Sequence, residues 1–279
     1  MNIILLSVLL LGVIGFLGAG ILYWGARKFH VEENPLIGKI HEVLPAANCG
    51  GCGFPGCAGF ADALVKATEL DGMNCPVGGA ATMSQIAAIL GKEAAATTAK
   101  IAVLRCNGSC ENRVRTNTYD GVKSCKIESR LYGGETACTF GCLGYGDCVL
   151  VCPFDAIHVN PSTMLPEVDE EKCTACGKCV KACPKLLIQL RNKGPKSRRI
   201  YVSCMNKDKP AVAKKACEVA CIACKKCEKA CQYEAITITN NLAYIDDDKC
   251  RLCRKCVSEC PTSAIVELNF PVKKHAENV

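Results

Sequence analysis

Short runs of closely spaced cysteines constrain this chain more than any other feature of its sequence. Two of the runs read C-x2-C-x2-C-x3-C-P, at residues 173–184 and 250–261. In this pattern three cysteines hold one [4Fe–4S] cluster and the fourth reaches a second cluster. The hydrophobic core of a chain of 279 residues needs few thiols, yet this sequence contains 25 cysteines. The cysteines are therefore expected to be ligands rather than packing residues.

Each run needs an earlier partner run to complete two clusters. The partner of the second run is complete, with Gln232 in place of the proline, whereas the partner of the first has Tyr145 where its middle cysteine belongs. A comparison of residues 138–157 with 217–236 needs no gap and leads us to expect that Cys138 supplies the ligand that Tyr145 cannot. The ligands expected in these four runs are Cys138, Cys142, Cys148, Cys152, Cys173, Cys176, Cys179, Cys183, Cys221, Cys224, Cys227, Cys231, Cys250, Cys253, Cys256 and Cys260.

A separate group near the N-terminus has the spacing C-x2-C-x4-C-x17-C. Four thiolates in one short segment suit either a tetrahedral zinc site or a [4Fe–4S] cluster, and the spacing alone does not choose between them. The glycines among them match G-x-G-x-x-G, but no strand precedes the match, which excludes a dinucleotide loop. The group comprises Cys49, Cys52, Cys57 and Cys75.

The runs belong to a longer internal repeat. The segments 101–106 and 200–204 each predict a short apolar strand that ends in cysteine, and further strand pieces are expected at 156–159 and 235–239. Helices are expected at 58–70 and 80–96. The fold class predicted is α+β, with an anchor (1–28), a small helical [4Fe–4S] domain (29–100), a ferredoxin-like unit with a cysteine-rich insert (101–195) and a second ferredoxin-like unit (196–279).

Five cysteines remain after these assignments. They would supply a sixth cluster in addition to the five already expected, with its fourth ligand unassigned, or some of them would be free buried thiols. They are Cys106, Cys110, Cys125, Cys204 and Cys217.

The N-terminal segment 3–24 is long enough to cross a membrane. It is uncharged and apolar, nothing basic precedes it, and Arg27 and Lys28 follow it. These features distinguish it from a secretory signal and from a core helix, and the positive-inside rule keeps the following residues in the cytoplasm. We expect a single-pass anchor in the cytoplasmic membrane with its N-terminus outside. The cysteines then face a reducing compartment, which favours metal ligation over disulfides.

The charge of +7 describes the chain without clusters. Each four-thiolate [4Fe–4S] site adds about −2, so five or six sites bring the net charge to about −3 or −5. Lysines and arginines beside the cysteines would offer a landing site for an acidic electron donor. Nucleic-acid binding is not expected, because few aromatic residues are available to stack on bases. The basic stretch from Lys193 to Arg199 is predicted to be a solvated linker.

The anchor, the segment EENPLIGKIHEVLPAANCGGCGFPGC at 32–57 and the ferredoxin-like runs together resemble the B subunit of the Rnf complex, in its long multicluster form. The resemblance covers essentially the whole chain. It implies a membrane-bound ferredoxin:NAD oxidoreductase that translocates Na+ or H+. This subunit would accept electrons from reduced ferredoxin and pass them to membrane and flavin-bearing subunits, without binding flavin or NAD itself.

Two other functions stay open on the sequence. One is a membrane-anchored polyferredoxin that serves another reductase or a hydrogenase. The other is a zinc-stabilised membrane scaffold without redox function. Iron, sulfide and co-purifying partners distinguish the three hypotheses.

Overall fold

The computed structural model describes residues 3–29, 34–93, 98–131 and 133–271. Its first element is the helix α1 (Ile3–Lys28), which contains the predicted span. The stretch Leu6–Lys28 is long and apolar enough to cross a membrane, and none of its apolar window is buried against the rest of the chain. A fully exposed apolar helix of this length is unfavourable in water, which indicates a membrane anchor.

Three helices form a small domain after the anchor. They are α2 (Pro35–Val43), α3 (Gly56–Lys66) and α4 (Gly79–Leu90). Asn34 caps α2, since its side chain accepts a hydrogen bond from the backbone of Leu36. The helices enclose a core whose fully buried members include Ile40, Phe60 and Ile86. Helix α4 ends sooner than predicted because Gly91 takes the left-handed conformation, with φ of 63°. Residues 94–96 of the predicted helix lie outside the described residues.

The rest of the chain builds the same pair of two-stranded antiparallel sheets twice. In the first unit β1 (Lys100–Leu104) pairs with β4 (Ile188–Asn192), and β2 (Ile157–Asn160) pairs with β3 (Leu165–Val168). In the second, β5 (Arg199–Val202) pairs with β8 (Ile265–Leu268), and β6 (Ile236–Thr239) pairs with β7 (Leu242–Ile245). The α+β class and the predicted strands are confirmed.

Short helices follow the cysteine loops of both units. They are α6 (Asp147–Leu150) and α7 (Lys178–Ala182) in the first unit, and α9 (Lys226–Ala230) and α10 (Lys255–Ser258) in the second. Two further helices, α5 (Cys125–Leu131) and α8 (Pro210–Ala216), lie outside the cysteine loops.

The four cysteine loops share one backbone conformation. Each has a left-handed residue just before its second cysteine position and another just after it. The φ values are 83° and 81° at Gly144 and Gly146, 57° and 77° at Ala175 and Gly177, 48° and 62° at Ala223 and Lys225, and 56° and 68° at Leu252 and Arg254. The repeat found in the sequence is therefore a repeat of three-dimensional structure.

The two units pack against each other, and the predicted linker between them is solvated only in part, since Lys196 is exposed whereas Arg199 is buried. Ile101 and Val103 of β1 contact Tyr201 of β5 in a buried cluster. Arg199 is only 5% exposed and pairs with Glu170 of the first unit. A guanidinium this deeply buried needs a carboxylate partner. The basic stretch therefore fastens the units together.

Candidate iron–sulfur sites

Five cavities of similar size, between ≈ 330 and ≈ 370 Å³, are each lined by four cysteines. We number the sites from the N-terminal domain towards the far end of the chain. The cavity sites are site 2 (Cys152, Cys173, Cys176, Cys179), site 3 (Cys125, Cys142, Cys148, Cys183), site 4 (Cys106, Cys138, Cys204, Cys217), site 5 (Cys221, Cys224, Cys227, Cys260) and site 6 (Cys231, Cys250, Cys253, Cys256).

Site 1 is the group Cys49, Cys52, Cys57 and Cys75 in the helical domain. Burial raises the pKa of Cys75, and the nearby thiols of Cys57 and Cys49 raise it further. Cys57 lies in the first turn of α3, where its backbone N–H donates a hydrogen bond to the side chain of Asn48 at 2.8 Å. Cys52 packs against the same apolar core. The loop and the start of α3 thus bring the thiols of Cys49, Cys57 and Cys75 close together, with Cys52 at the edge of the same core.

Sites 2, 5 and 6 follow the pattern expected from the sequence. In each of these sites, one cysteine loop supplies three cysteines. The fourth is the last cysteine of the partner run, which follows the short helix of that run. Gln232 replaces the usual proline after Cys231 without removing that cysteine from site 6.

Site 3 differs from the sequence expectation. The cysteine that compensates for Tyr145 is Cys125, which opens α5 in the insert, whereas Cys138 lies in site 4. The carboxylate of Asp147 accepts hydrogen bonds from the backbone of Cys125 at 3.0 Å and of Lys126 at 2.9 Å. Asp147 immediately precedes Cys148, so this cap ties the insert to the cysteine loop. No spacing rule links Cys125 to that loop, which is why sequence reasoning missed it.

Site 4 is shared by the two units. Cys106 and Cys204 follow the equivalent strands β1 and β5, and Cys138 and Cys217 are the equivalent positions of the gap-free comparison. The buried Asn206 contacts two of the thiols: its side-chain N–H donates to Cys138 Sγ and its backbone N–H donates to Cys204 Sγ, both at 3.4 Å. The sequence contained the signal for this site, since the four cysteines form two repeat-related pairs.

Cys110 is the one cysteine left outside these six sites. It is exposed, and its thiol donates to the carbonyl of Ser162 at 3.0 Å. All 25 cysteines are free of disulfides.

The donor set of each site fits a [4Fe–4S] cluster. Burial, followed by the neighbouring thiols, raises the pKa of Cys179 to about 11 and that of Cys148 to about 12. Gathering four buried thiolates is unfavourable unless a positively charged core neutralises them. Within the described residues, no group of three or more Cys, His, Asp or Glu side chains is placed to hold a single metal ion.

The sites follow one another in single file. Gly51 of the site 1 loop lies against Cys176 of site 2, where an added Cβ would be 2.9 Å from the Cys176 carbonyl oxygen. From there, thiols of successive sites are close enough to act on each other's pKa, although burial contributes most in every case. The pairs are Cys179 and Cys148 for sites 2 and 3, Cys106 and Cys142 for sites 3 and 4, Cys221 and Cys204 for sites 4 and 5, and Cys227 and Cys256 for sites 5 and 6.

Three protein families match segments of the chain. An Fe-S cluster family matches residues 44–77, which contain site 1. A 4Fe-4S binding domain matches residues 166–189, and a 4Fe-4S dicluster domain matches residues 220–264. The matches fall on the loops that hold sites 1, 2, 5 and 6.

Similar proteins extend over nearly the whole chain. The B subunit of the Na+-translocating ferredoxin:NAD+ oxidoreductase complex of Acetobacterium woodii is 46% identical over 266 residues, covering 95% of this chain and 78% of that protein. The B subunit of the proton-translocating ferredoxin:NAD+ oxidoreductase complex of Clostridium ljungdahlii is 39% identical over 267 residues, covering 95% and 93%. This chain belongs to the family of Rnf B subunits.

A third Rnf B subunit, from the ion-translocating oxidoreductase complex of Methanosarcina acetivorans, is 39% identical over 95% of this chain and 98% of that protein. The three matched domains and the 25 cysteines show that the chain carries multiple [4Fe–4S] clusters. The resemblance predicted from the sequence is confirmed, as is the expectation of several clusters.

Proposed function

We propose that this chain is the electron-transfer subunit of a membrane ion-translocating ferredoxin:NAD oxidoreductase. It accepts electrons from reduced ferredoxin at one end and delivers them to membrane and flavin-bearing subunits at the other. When bound, each cluster takes up and releases one electron. The chain's own residues hold the six sites in sequence, and NAD reduction and ion movement belong to the partner subunits.

The single-file order of the six sites carries this proposal. Site 1 belongs to the domain that follows the anchor, and site 6 is at the opposite end of the order. Electron transfer through a protein requires carriers that lie close to one another, and each step along this chain is marked by a contact or by interacting thiols. No alternative order of the sites uses all of these neighbours.

The contact between sites 1 and 2 depends on glycine at position 51, which has no side chain. An added Cβ at Gly51 would lie 2.9 Å from the Cys176 oxygen and 3.0 Å from its Cα, both of which are backbone atoms. Only glycine allows the two loops this separation without a shift of backbone. The helical domain is therefore held against the first ferredoxin-like unit at the point where the two sites meet.

The proposal places α1 in the cytoplasmic membrane as the single span, with its N-terminus outside and the six sites in the cytoplasm. Arg27 and Lys28 at the end of the helix support this orientation, and Trp24 lies under the ammonium of Lys28 at 4.7 Å, as suits an interface. A protease-sensitive tag at the N-terminus should be cleaved in intact cells. Cleavage of a C-terminal tag instead would show that the orientation is the opposite one.

Anaerobic purification of the complex through a tag on this chain tests the function. We expect flavin-bearing, NADH-reactive subunits to co-purify, and reduced ferredoxin to drive NAD+ reduction that stops when this chain is removed. A hydrogenase as the co-purifying partner would establish the polyferredoxin alternative. Zinc in place of iron and sulfide would establish the scaffold alternative.

A further inference from the structure

The loops of sites 2 and 6 are the same structure used in two different settings. Cys176 and Cys253 are equivalent in the repeat, and both loops place left-handed residues on either side of that cysteine. In each, the partner run completes the site, through Cys152 or Cys231. Any difference between the two loops in what covers them therefore reflects their side chains rather than their backbone.

The site 2 loop is covered by another cluster-binding domain. Gly51 of site 1 lies directly against the backbone of Cys176. The residues around Cys176 are small, namely Thr174, Ala175 and Gly177. Small side chains allow a permanent, close contact between two parts of one chain.

The equivalent face of the site 6 loop is open. Cys253 is exposed, whereas Cys176 is partly covered. The small residues are replaced by longer ones, with Arg251 for Thr174, Leu252 for Ala175 and Arg254 for Gly177. Arg254 keeps the left-handed backbone, with φ of 68°, at a position where glycine would be unstrained.

The exposed charges of this face are mainly positive. Arg251, Lys249 and Lys255 are exposed, and Arg254 is fixed by an ion pair with Glu267 and lies 5.0 Å from the ring centre of Phe270. Two exposed acids flank the segment. Asp248 is turned towards Asn192, whose side chain donates to it at 2.7 Å, and Glu259 follows α10.

We propose that the face of Arg251, Cys253 and Lys255 is the docking surface for an acidic electron-carrier protein with a solvent-accessible [4Fe–4S] cluster. This inference rests on the proposed function and locates its entry point. The carrier takes the place over Cys253 that the site 1 domain takes over Cys176. One electron leaves the carrier's cluster and enters that of site 6, with no bond made or broken. Basic side chains give the reversible, salt-sensitive contact that a mobile acidic donor requires.

Binding of a two-cluster ferredoxin to the full-length, iron-loaded chain in detergent tests the surface. The Kd of fluorescently labelled ferredoxin is measured against salt concentration for wild type, for R251E/K255E and for the control K39E/K66E. The control reverses the same number of charges at exposed positions of α2 and α3. Equal iron content and equal EPR spectra establish that the variants keep their sites. If R251E/K255E loses iron, the charge-neutral variant R251Q/K255Q is measured in its place.

We expect R251E/K255E to weaken binding at least tenfold at low salt and to flatten the salt dependence, while the control changes Kd less than twofold. Carbodiimide should link ferredoxin carboxylates to Lys249 or Lys255. Unchanged binding in R251E/K255E, or cross-links confined to other lysines, would overturn the docking surface alone. If reduced ferredoxin neither binds wild type nor reduces its clusters, the donor named in the proposed function is wrong, and the surface proposal with it.

Discussion

Tyr145 occupies the position of a cysteine ligand without altering the loop around it. The flanking residues Gly144 and Gly146 have φ of 83° and 81°, in the same left-handed region as their counterparts in the other three loops. Burial and the neighbouring Glu128 carboxylate raise the pKa of the Tyr145 hydroxyl well above its ordinary value, so it stays neutral. Cys125 supplies the fourth thiol of site 3 from a separate segment.

This arrangement predicts that the ligand can be moved back into the loop. Cys125→Ala should lose the cluster of site 3, or about four irons per chain. The double variant Cys125→Ala/Tyr145→Cys should recover them, because the loop already has the conformation that a cysteine there needs. Iron analysis with EPR measures both. The account of site 3 is wrong if Cys125→Ala keeps full iron content, and the equivalence of the loops is wrong if the second substitution restores none.

Arg105 is a buried cation between sites 4 and 5. It is 3% exposed, and its guanidinium donates to the carbonyls of Val202 at 3.1 Å and Cys204 at 3.3 Å. Burial lowers its pKa and the nearby Arg191 lowers it further, while the thiolates of Cys204 and Cys221 oppose the change. Those thiolates belong to sites 4 and 5 respectively, so Arg105 supplies positive charge to both.

Removing that charge should make the clusters of sites 4 and 5 harder to reduce. We expect Arg105→Gln to shift midpoint potentials of these clusters to more negative values in an EPR-monitored redox titration. Arg115→Gln is the matched control, because its ion pair with Glu135 is at the surface. Identical titrations for wild type and Arg105→Gln would show that the guanidinium has no electrostatic effect on the sites.

At the scale of elements, the sequence predicted what is local and missed what depends on packing. The cysteine runs, one strand of each two-stranded sheet and two of the three helices of the small domain follow from spacing and hydrophobic pattern, and they appear in the structure. The sequence leaves Cys125 without a site and assigns Cys138 to the site of Tyr145, whereas the structure has Cys125 in site 3 and Cys138 in site 4. The position of Cys125 depends on the cap made by Asp147, and that of Cys138 depends on how the two units meet. The burial of Arg199 in the predicted linker does not follow from the local sequence, because its carboxylate partner Glu170 lies in a distant segment.

The contact between the units rests on Glu170 and Arg199. Glu170 pairs with Arg199 and also accepts from the side chain of Asn269 at 2.9 Å. Burial would raise the pKa of Glu170, but the hydrogen bonds from Arg199 and Asn269 outweigh it and lower the pKa. A lowered carboxyl pKa contributes stability in full above the unfolded value of about 4.3 and loses it as pH falls through the folded value.

Glu170→Gln should therefore weaken the assembly of the two units at neutral pH. Leaving Arg199 buried without its carboxylate costs roughly 2 kcal/mol, or about 4–8 °C in the unfolding temperature. The difference in stability between wild type and Glu170→Gln should become smaller as pH falls, because Glu170 is then protonated in the wild type. Asp62→Asn, which breaks an exposed pair with Lys66, serves as control and should change little. Equal melting of both variants in anaerobic thermal scans would contradict the role given to Glu170.

At the scale of the molecule, the repeat explains both the number of sites and their continuity. Each ferredoxin-like unit holds two sites of its own, and the cysteines that neither unit can use alone form site 4 where the units meet. The helical domain adds site 1 against the first unit, and α1 adds the anchor. The 25 cysteines thus divide into six sites of four and the exposed Cys110. A chain without the second unit would lose site 4 as well as sites 5 and 6.

The iron content of defined cysteine variants tests this division most directly. Anaerobically prepared wild type should contain about 24 irons and as many sulfides per chain. Cys110→Ser should keep all of them, while Cys138→Ser and Cys217→Ser should each lose the same cluster, about four irons, and leave the EPR signals of the remaining clusters in place. About 20 irons in wild type, with no loss on replacing Cys138 or Cys217, would contradict the six-site account.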